Sequence, residues 1–430
     1  MNSSLHAGIL LISTRGQQYQ VLEKLGEGGQ GEVYKVVSNG NSFALKWYFK
    51  KCATKKQRDI LENLMLKGSP DECFLWPTDI IDKGNVFGYV MPLRTSEYKG
   101  IVDLMKRRID PSFKALAIAG FNISRSFQKL HSMGYCYCDI SFGNTFFDPF
   151  TGNVLICDND NVIVNKSKPP IIGTQRFMAP EVVRGDANPS TDSDLFSMAV
   201  LLFYLFMVHH PLEGANESKI KALDIHAMNQ LYGKTPVFIW DPEDKSNRPV
   251  KGLHDNAIIF WDIYPKFFRD LFITSFTDGL RKPQKRVLEN RWQSAFIKLS
   301  DSIMFCPRCE SEVFFDTFKK ENGTGHLCWN CQTSVNPPPV LKVGKNLILM
   351  TKRTKIYEHH LKDNNCIDKI IGEMVQNPSD PQKWGLKNVS GEEWIYQRPD
   401  GSQTPVEKGK AAVVAKGTKI VFGSVTGEFI

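Results

Sequence analysis

No apolar run in this sequence is long enough to cross a bilayer as a helix. The longest, 195–208, has fourteen residues, with Ser197 inside it and Asp194 and His209 at its ends. At 1.5 Å per residue it reaches about 21 Å, short of a hydrocarbon core of about 30 Å, so it reads as a buried core helix. The N-terminal run Gly8-Ile9-Leu10-Leu11-Ile12 has no Lys or Arg before it and is too short for a secretory signal. Low-complexity tracts and internal repeats are also absent. A net charge of +8 over 430 residues is modest; a solvated basic face accounts for it without nucleic acid. What is present, 42% hydrophobic and 23% charged residues, suits a soluble, cytoplasmic protein of two to three domains with no membrane contact. Of ten cysteines, four stand in paired Cys-x-x-Cys units, which favours metal ligation in a reducing compartment over a disulfide framework.

The hydrophobic pattern changes along the chain. Alternating runs at 18–24, 32–37, 42–48 and 86–91 predict strands, with one helical segment at 55–66. From 113 to about 298 the pattern is mainly helical; Leu116, Gly120, Ile123, Phe127 and Leu130 recur at helical spacing on one face. A linker is expected at 299–304, followed by a cysteine-containing segment that ends in the stiff connector Asn336-Pro337-Pro338-Pro339. Strand-like alternation returns over 340–430, as at 418–422, with turns at Asp400-Gly401 and Lys416-Gly417.

Several motifs follow one another in order. Gly26-Glu27-Gly28-Gly29-Gln30-Gly31-Glu32-Val33 lies between two strand-like runs, and its glycines allow backbone N–H groups to face phosphate oxygens. Phe43-Ala44-Leu45-Lys46 is on the next strand. His131-Ser132-Met133-Gly134-Tyr135-Cys136-Tyr137-Cys138-Asp139 is followed by Asn144, five residues after Asp139. A strand at 153–157 ends in Asp158-Asn159-Asp160, and Gly173-Thr174-Gln175-Arg176-Phe177-Met178-Ala179-Pro180-Glu181 comes next. Taken singly, Asp139 or Asp194 reads as a helix cap or turn residue. Together and in this order, the motifs over 18–298 resemble a protein kinase of the Ser/Thr type.

That resemblance implies an α+β, two-lobed fold with an N-lobe at 18–93 and a C-lobe at 94–298. It also implies ATP and Mg2+ as cofactors and a protein substrate. Gly26, Gly28, Gly31, Val33 and Met91 would contact the nucleotide, and Lys46 would position its phosphates, fixed by Glu62 sixteen residues on. Asp139 would orient the acceptor hydroxyl, and Asn144 and Asp158 would hold Mg2+. Thr174 would stand near Asp139, Glu181 would pair with Arg286, and Asp194 would brace the catalytic loop. Three departures stand out. Cys138 replaces the arginine that reads an activation-loop phosphate, and Ser167 is the only serine in 158–181, so loop phosphorylation should be dispensable. Ser141 replaces the loop lysine, so slower chemistry or a substitute cation is expected. Asn159-Asp160 replaces Phe-Gly. The alternatives are a pseudokinase-like nucleotide-binding scaffold and a small-molecule phosphotransferase. The segments Asp139-Ile140-Ser141-Phe142-Gly143-Asn144 and Cys157-Asp158-Asn159-Asp160-Asn161 resemble bacterial kinases of tellurite-resistance-linked phosphorylation triads. That resemblance implies a von Willebrand A-domain protein and a metal-dependent protein phosphatase as partners.

Behind the kinase-like region, Cys306-Pro307-Arg308-Cys309 and Cys328-Trp329-Asn330-Cys331 are two knuckles eighteen residues apart. Four thiolates close a tetrahedral site, which predicts structural zinc in a ribbon at 303–335 with a strand at 312–317. His326 is an alternative ligand, although a surface histidine is the simpler reading. Nearby positive charge is limited to Arg308, Lys319 and Lys320, so nucleic acid is not the expected partner. The 340–430 segment, with Trp384-Gly385-Leu386-Lys387-Asn388-Val389-Ser390 and Trp394, resembles part of a forkhead-associated β-sandwich. It lacks that family's Gly-Arg pair, since Glu373 follows Gly372. No binding residues are assigned there, and a plain β interaction module remains open beside phosphopeptide binding.

Overall fold

The computed structural model describes residues 4–169 and 172–430. Near the N-terminus, six antiparallel strands form one sheet in the order β1-β2-β3-β4-β6-β5. They are β1 (Leu10–Ile12), β2 (Gln18–Glu27), β3 (Gly31–Ser38), β4 (Asn41–Tyr48), β5 (Asp79–Lys83) and β6 (Val86–Pro92). The period of two sorts their side chains onto two faces. Tyr19, Val21, Tyr34, Val36, Leu45 and Trp47 pack together on one. Ala44, Tyr48, Tyr89 and Met91 form a second cluster with Leu61 of helix α1 (Lys55–Lys67).

Helix α1 begins where the Thr54 side chain accepts the Gln57 N–H at 3.2 Å, and Gly68 ends it at φ 78°. Its buried stripe is Gln57, Leu61 and Leu64, at the i, i+4, i+7 spacing of one helical face. Glu62 is one residue past Leu61, about 100° round the helix, and therefore points to solvent.

The helical region is built around Thr191–Met207, which is buried on all sides from Ser193 to Met207, as an all-apolar helix must be. Ser190 caps its first turn. Phe203 meets Phe238, Phe272 and Phe276 edge-on at 5.1–5.9 Å, the geometry favoured by ring quadrupoles.

The chain divides into two compact units, and the division differs from the boundaries read from sequence. One comprises 1–111, 118–260 and 271–292; the other comprises 112–117, 261–270 and 293–430. The predicted linker at 299–304 is not one: helix Glu289–Asp301 runs into it and strand Ile303–Phe305 follows directly. The strand expected at 312–317 stops at Phe314, and a short helix occupies Thr317–Glu321. In the second unit, a six-stranded sheet and a four-stranded sheet enclose one apolar core, with Leu341, Trp394, Ile420 and Phe429 from the first and Ile356, Ile371, Leu386 and Ala412 from the second. A Cβ on Gly372 would stand 2.7 Å from the Trp394 ring, so a glycine is needed there for the large ring to pack.

Candidate active site

Lys46 and Tyr48 share a face of β4, and Tyr89 of β6 lies directly opposite Lys46 in register. Three polar groups thus point to one buried spot, and Asp160 completes it. The Lys46 ammonium lies 2.9 and 3.0 Å from the Asp160 oxygens and 3.5 Å from Asp158. The Tyr89 hydroxyl donates to Asp160 Oδ1 at 3.1 Å, and the Tyr48 hydroxyl donates to Oδ2. Asp160 is 0% exposed. Burial disfavours the lysine charge, yet the Asp160 and Asp158 carboxylates outweigh it and hold Lys46 above the usual lysine pKa. Burial, then the Asp160 charge, push both tyrosine pKa values well up, so both hydroxyls keep their protons and donate.

The carboxylate partner of Lys46 is therefore Asp160. Glu62 makes its ion pair with Arg58 at 2.8 Å on the outer face of α1. The helix instead sends in Gln57, whose amide donates to the Asp160 carbonyl at 2.8 Å and to Tyr48 at 3.3 Å. The readable signal was a second acid in Asp158-Asn159-Asp160 and a tyrosine, Tyr48, two residues after Lys46 on the same strand. Only the fold brings them together.

At the β2–β3 turn, Gly28 N–H donates to the Gly31 carbonyl at 2.9 Å. A Cβ at Gly26 or Gly28 would meet nothing within 4 Å, leaving the turn open to a ligand. Gly31 has a different reason to be glycine: its Cβ would lie 2.2 Å from the Trp47 carbonyl. Gln30 accepts a hydrogen bond from Lys46 at 3.0 Å and donates to Asn161 at 3.2 Å. Val33, Ala44, Met91, Leu93, Leu155 and Cys157 lie in one apolar cluster; sequence reading singled out only Val33 and Met91 of these.

Below the sheet, Asn144 donates to the Asp139 carbonyl at 2.8 Å and to its carboxylate at 3.2 Å. This leaves the Asn144 amide oxygen free of that contact. Thr174 donates to the other carboxylate oxygen of Asp139 at 2.8 Å. Cys157 N–H donates to the Asn144 carbonyl at 2.8 Å, linking this loop to Asp158. Asp158 itself is left-handed at φ 50°. Asn159 is anchored to the Leu75 and Ile156 carbonyls at 2.9 and 3.1 Å. Asp194 accepts the backbone N–H groups of Tyr137 and Cys138 at 2.5 and 3.1 Å. Glu181 and Arg286 form a two-point ion pair with both contacts at 2.8 Å.

A sequence model of the protein kinase domain matches residues 19–259. The chain belongs to the protein kinase family. Among similar proteins, the cell cycle serine/threonine-protein kinase CDC5/MSD2 of Saccharomyces cerevisiae is 27% identical over 226 residues, covering 49% of this chain and 31% of that protein. Glycogen synthase kinase 1 of Pyricularia oryzae is 25% identical over 202 residues, 41% of this chain and 50% of its own length. Serine/threonine-protein kinase SAPK1 of Oryza sativa subsp. japonica is 24% identical over 219 residues, 47% and 60% respectively. The matched part thus spans between 31% and 60% of these relatives.

Two further charged networks lie in this kinase domain. Arg176, inside 173–181, makes a two-point ion pair with Glu213 at 2.7 and 2.5 Å, and the Tyr232 hydroxyl also donates to Glu213 at 2.5 Å. These contacts tie the 173–181 segment to Glu213. His131 is partly buried between Asp194, at 3.2 Å, and Glu289. Burial opposes its charge, but hydrogen bonds to the two carboxylates outweigh it and push its pKa up to about 9.

The four cysteines of the second unit also meet. Their sulfur atoms lie within 4.8 Å of one another, with Cys306–Cys331 at 3.5 Å and Cys309–Cys328 at 3.6 Å. The two knuckles repeat one turn: Cys306 N–H reaches Ser311 O and Cys328 N–H reaches Thr333 O, both at 2.9 Å. The residues after each second cysteine, Glu310 and Gln332, are left-handed at φ 57° and 58°. Hydrogen bonding to Ser311 brings the Cys309 thiol down to about 6, whereas burial pushes Cys328 up to about 11. His326 is neither a member of this group nor a surface residue: it is buried, and its Nε2 accepts the Asp316 N–H at 2.9 Å.

Two outcomes are expected. Asp160→Asn should lower phosphoryl transfer by about 100-fold, the scale of losing one preorganised charged group, whereas Glu62→Ala should change it by less than about twofold; initial-rate kinetics on both variants checks this. His131 has a raised folded pKa, so its stabilisation is fully present below about 6.5 and is lost as pH rises through about 9. The unfolding free energy of the wild type, from urea titration, should fall across that window by on the order of 2–3 kcal/mol, and His131→Gln should flatten the fall.

Proposed function

We propose that the chain is an ATP-dependent kinase that transfers the γ-phosphoryl group to Ser or Thr hydroxyls of a protein substrate. The observation that carries this reading is the joint placement of Asp139, Asn144 and Thr174 in a protein kinase domain whose lysine, Lys46, is already charge-paired. Asp139 would accept the proton of the acceptor hydroxyl while Thr174 and Asn144 hold its carboxylate in orientation. Asn144 and Asp158 are oxygen donors suited to a hard cation, and the Asn144 amide already faces its nitrogen toward Asp139. Bound Mg2+ would neutralise phosphate charge, and Lys46 with the open Gly26–Gly28 turn would position the phosphates. Cys138 in place of arginine, with the Arg176–Glu213 pair in 173–181, favours activity without loop phosphorylation.

A second reading, a nucleotide-binding scaffold, is favoured only by Ser141, which leaves no lysine at that loop position. The triad resemblance adds a von Willebrand A-domain protein and a metal-dependent phosphatase as proposed partners. No helix among the described residues is long and apolar enough to cross a membrane; a cytoplasmic location belongs to the same proposal. For the rear unit we propose one structural zinc at Cys306, Cys309, Cys328 and Cys331. Zinc–sulfur bonds of about 2.3 Å in a tetrahedron require sulfurs about 3.8 Å apart, close to the separations found.

Labelled γ-phosphate should pass from ATP to the protein or to a generic basic substrate, and Asp139→Asn should abolish the label. No label from either protein, with ATP binding intact, would favour the scaffold. Metal analysis should find zinc held by thiolates, and Cys306→Ser with Cys309→Ser should remove it; retention in the double variant would sink the assignment.

A further inference from the structure

A second group of ligating side chains lies in the rear unit, away from the cysteines. It lines a cavity of about 780 Å³ whose wall includes Asp301, His359 and His360. Asp301 ends helix Glu289–Asp301, and the two histidines sit in the short helix Glu358–Leu361. His359 is 9% and His360 2% exposed. The ligand atoms of all three residues lie within 4.8 Å of one another.

The hydrogen-bond partners constrain where protons sit. His359 Nδ1 faces the Cys366 carbonyl at 3.0 Å, a contact that requires an N–H on that nitrogen. In the neutral ring, Nε2 then carries only a lone pair, and it lies 3.3 Å from Asp301 Oδ2. A lone pair facing a carboxylate oxygen in a buried site is repulsive, and either a second proton on the ring or a metal ion between the two atoms relieves it. His360 Nε2 lies 3.0 Å from the same oxygen, its ring centroid 4.0 Å from that of His359. Its Nδ1 accepts the Tyr357 N–H at 2.9 Å, so its Nε2 keeps a proton and makes no aligned hydrogen bond.

We propose that Asp301 and His359 bind a divalent transition-metal ion from the cavity side, with His360 beside the carboxylate. Metal–nitrogen and metal–oxygen bonds of about 2.0–2.2 Å put ligand atoms about 3.3–3.6 Å apart at a tetrahedral angle, which matches the His359–Asp301 separation of 3.3 Å. The Cys366 carbonyl fixes the His359 tautomer as outer-shell partners of metal-bound histidines do. The mixed nitrogen and oxygen donors suit the zinc and cobalt class over calcium. Two protein ligands leave the remaining positions to water or to a ligand in the cavity, unlike a closed four-cysteine site.

Titration of metal-depleted full-length chain with Co2+ tests this independently of kinase activity. The expected result is two equivalents with different spectra: one with intense sulfur-to-metal charge-transfer bands, the other with weak d–d bands only. Asp301→Asn and His359→Gln should each remove the second equivalent and leave the sulfur bands, which also reports that the rear unit is folded. Cys306→Ser with Cys309→Ser should remove only the first. A single, sulfur-bound equivalent in the wild type would overturn the proposal, as would a second equivalent that survives in both Asp301→Asn and His359→Gln.

Discussion

The buried Lys46–Asp160 pair is the constraint on which the front of the molecule depends. Two charges withdrawn from water cost several kcal/mol each unless nearly every lone pair and proton is satisfied. Here Tyr48 and Tyr89 donate to the carboxylate, Gln30 accepts from the ammonium, and Gln57 ties down the backbone behind Asp160. These partners come from the β2–β3 turn, two strands and helix α1. Satisfying one ion pair therefore sets the relative position of the whole sheet and the segment that carries Asp158.

This arrangement changes what the helix is for. In a kinase whose lysine is fixed by a helix carboxylate, rotating that helix breaks the pair and switches the enzyme. In this chain the carboxylate belongs to the same short turn as Asp158, and the helix contributes an uncharged amide. The pair can stay assembled whatever the helix does at its outer face. The Arg176–Glu213 pair within 173–181, and Asn159 anchored by two carbonyls, are likewise satisfied inside the fold. The charges of the site are neutralised from within.

The rear unit depends on polar chemistry in another form. Its sandwich has an ordinary apolar core, yet its approach to the cysteines is organised by two nearly identical turns whose left-handed residues, Glu310 and Gln332, wrap the chain round the sulfurs. Repetition of one turn at two places is how a chain without symmetry of sequence brings four sulfur atoms to one point.

Local motifs were legible because their chemistry is confined to a few consecutive residues. Asp139 and Asn144 are joined within one loop, and each cysteine knuckle spans four positions, so spacing alone announced them. Period-two and helical patterns likewise gave the strands of the sheet and the buried helix 195–208. Glu62 was misread because sixteen residues from Lys46 says nothing about which way a helix is turned. That was decided by the apolar stripe of Gln57, Leu61 and Leu64, which must face the sheet and so sends Glu62 outward. The pairing of Lys46 with Asp160, 114 residues on, and of Asp301 with His359, 58 residues on, had no local signature. Such contacts are set by strand register and packing, which exist only once the chain has folded.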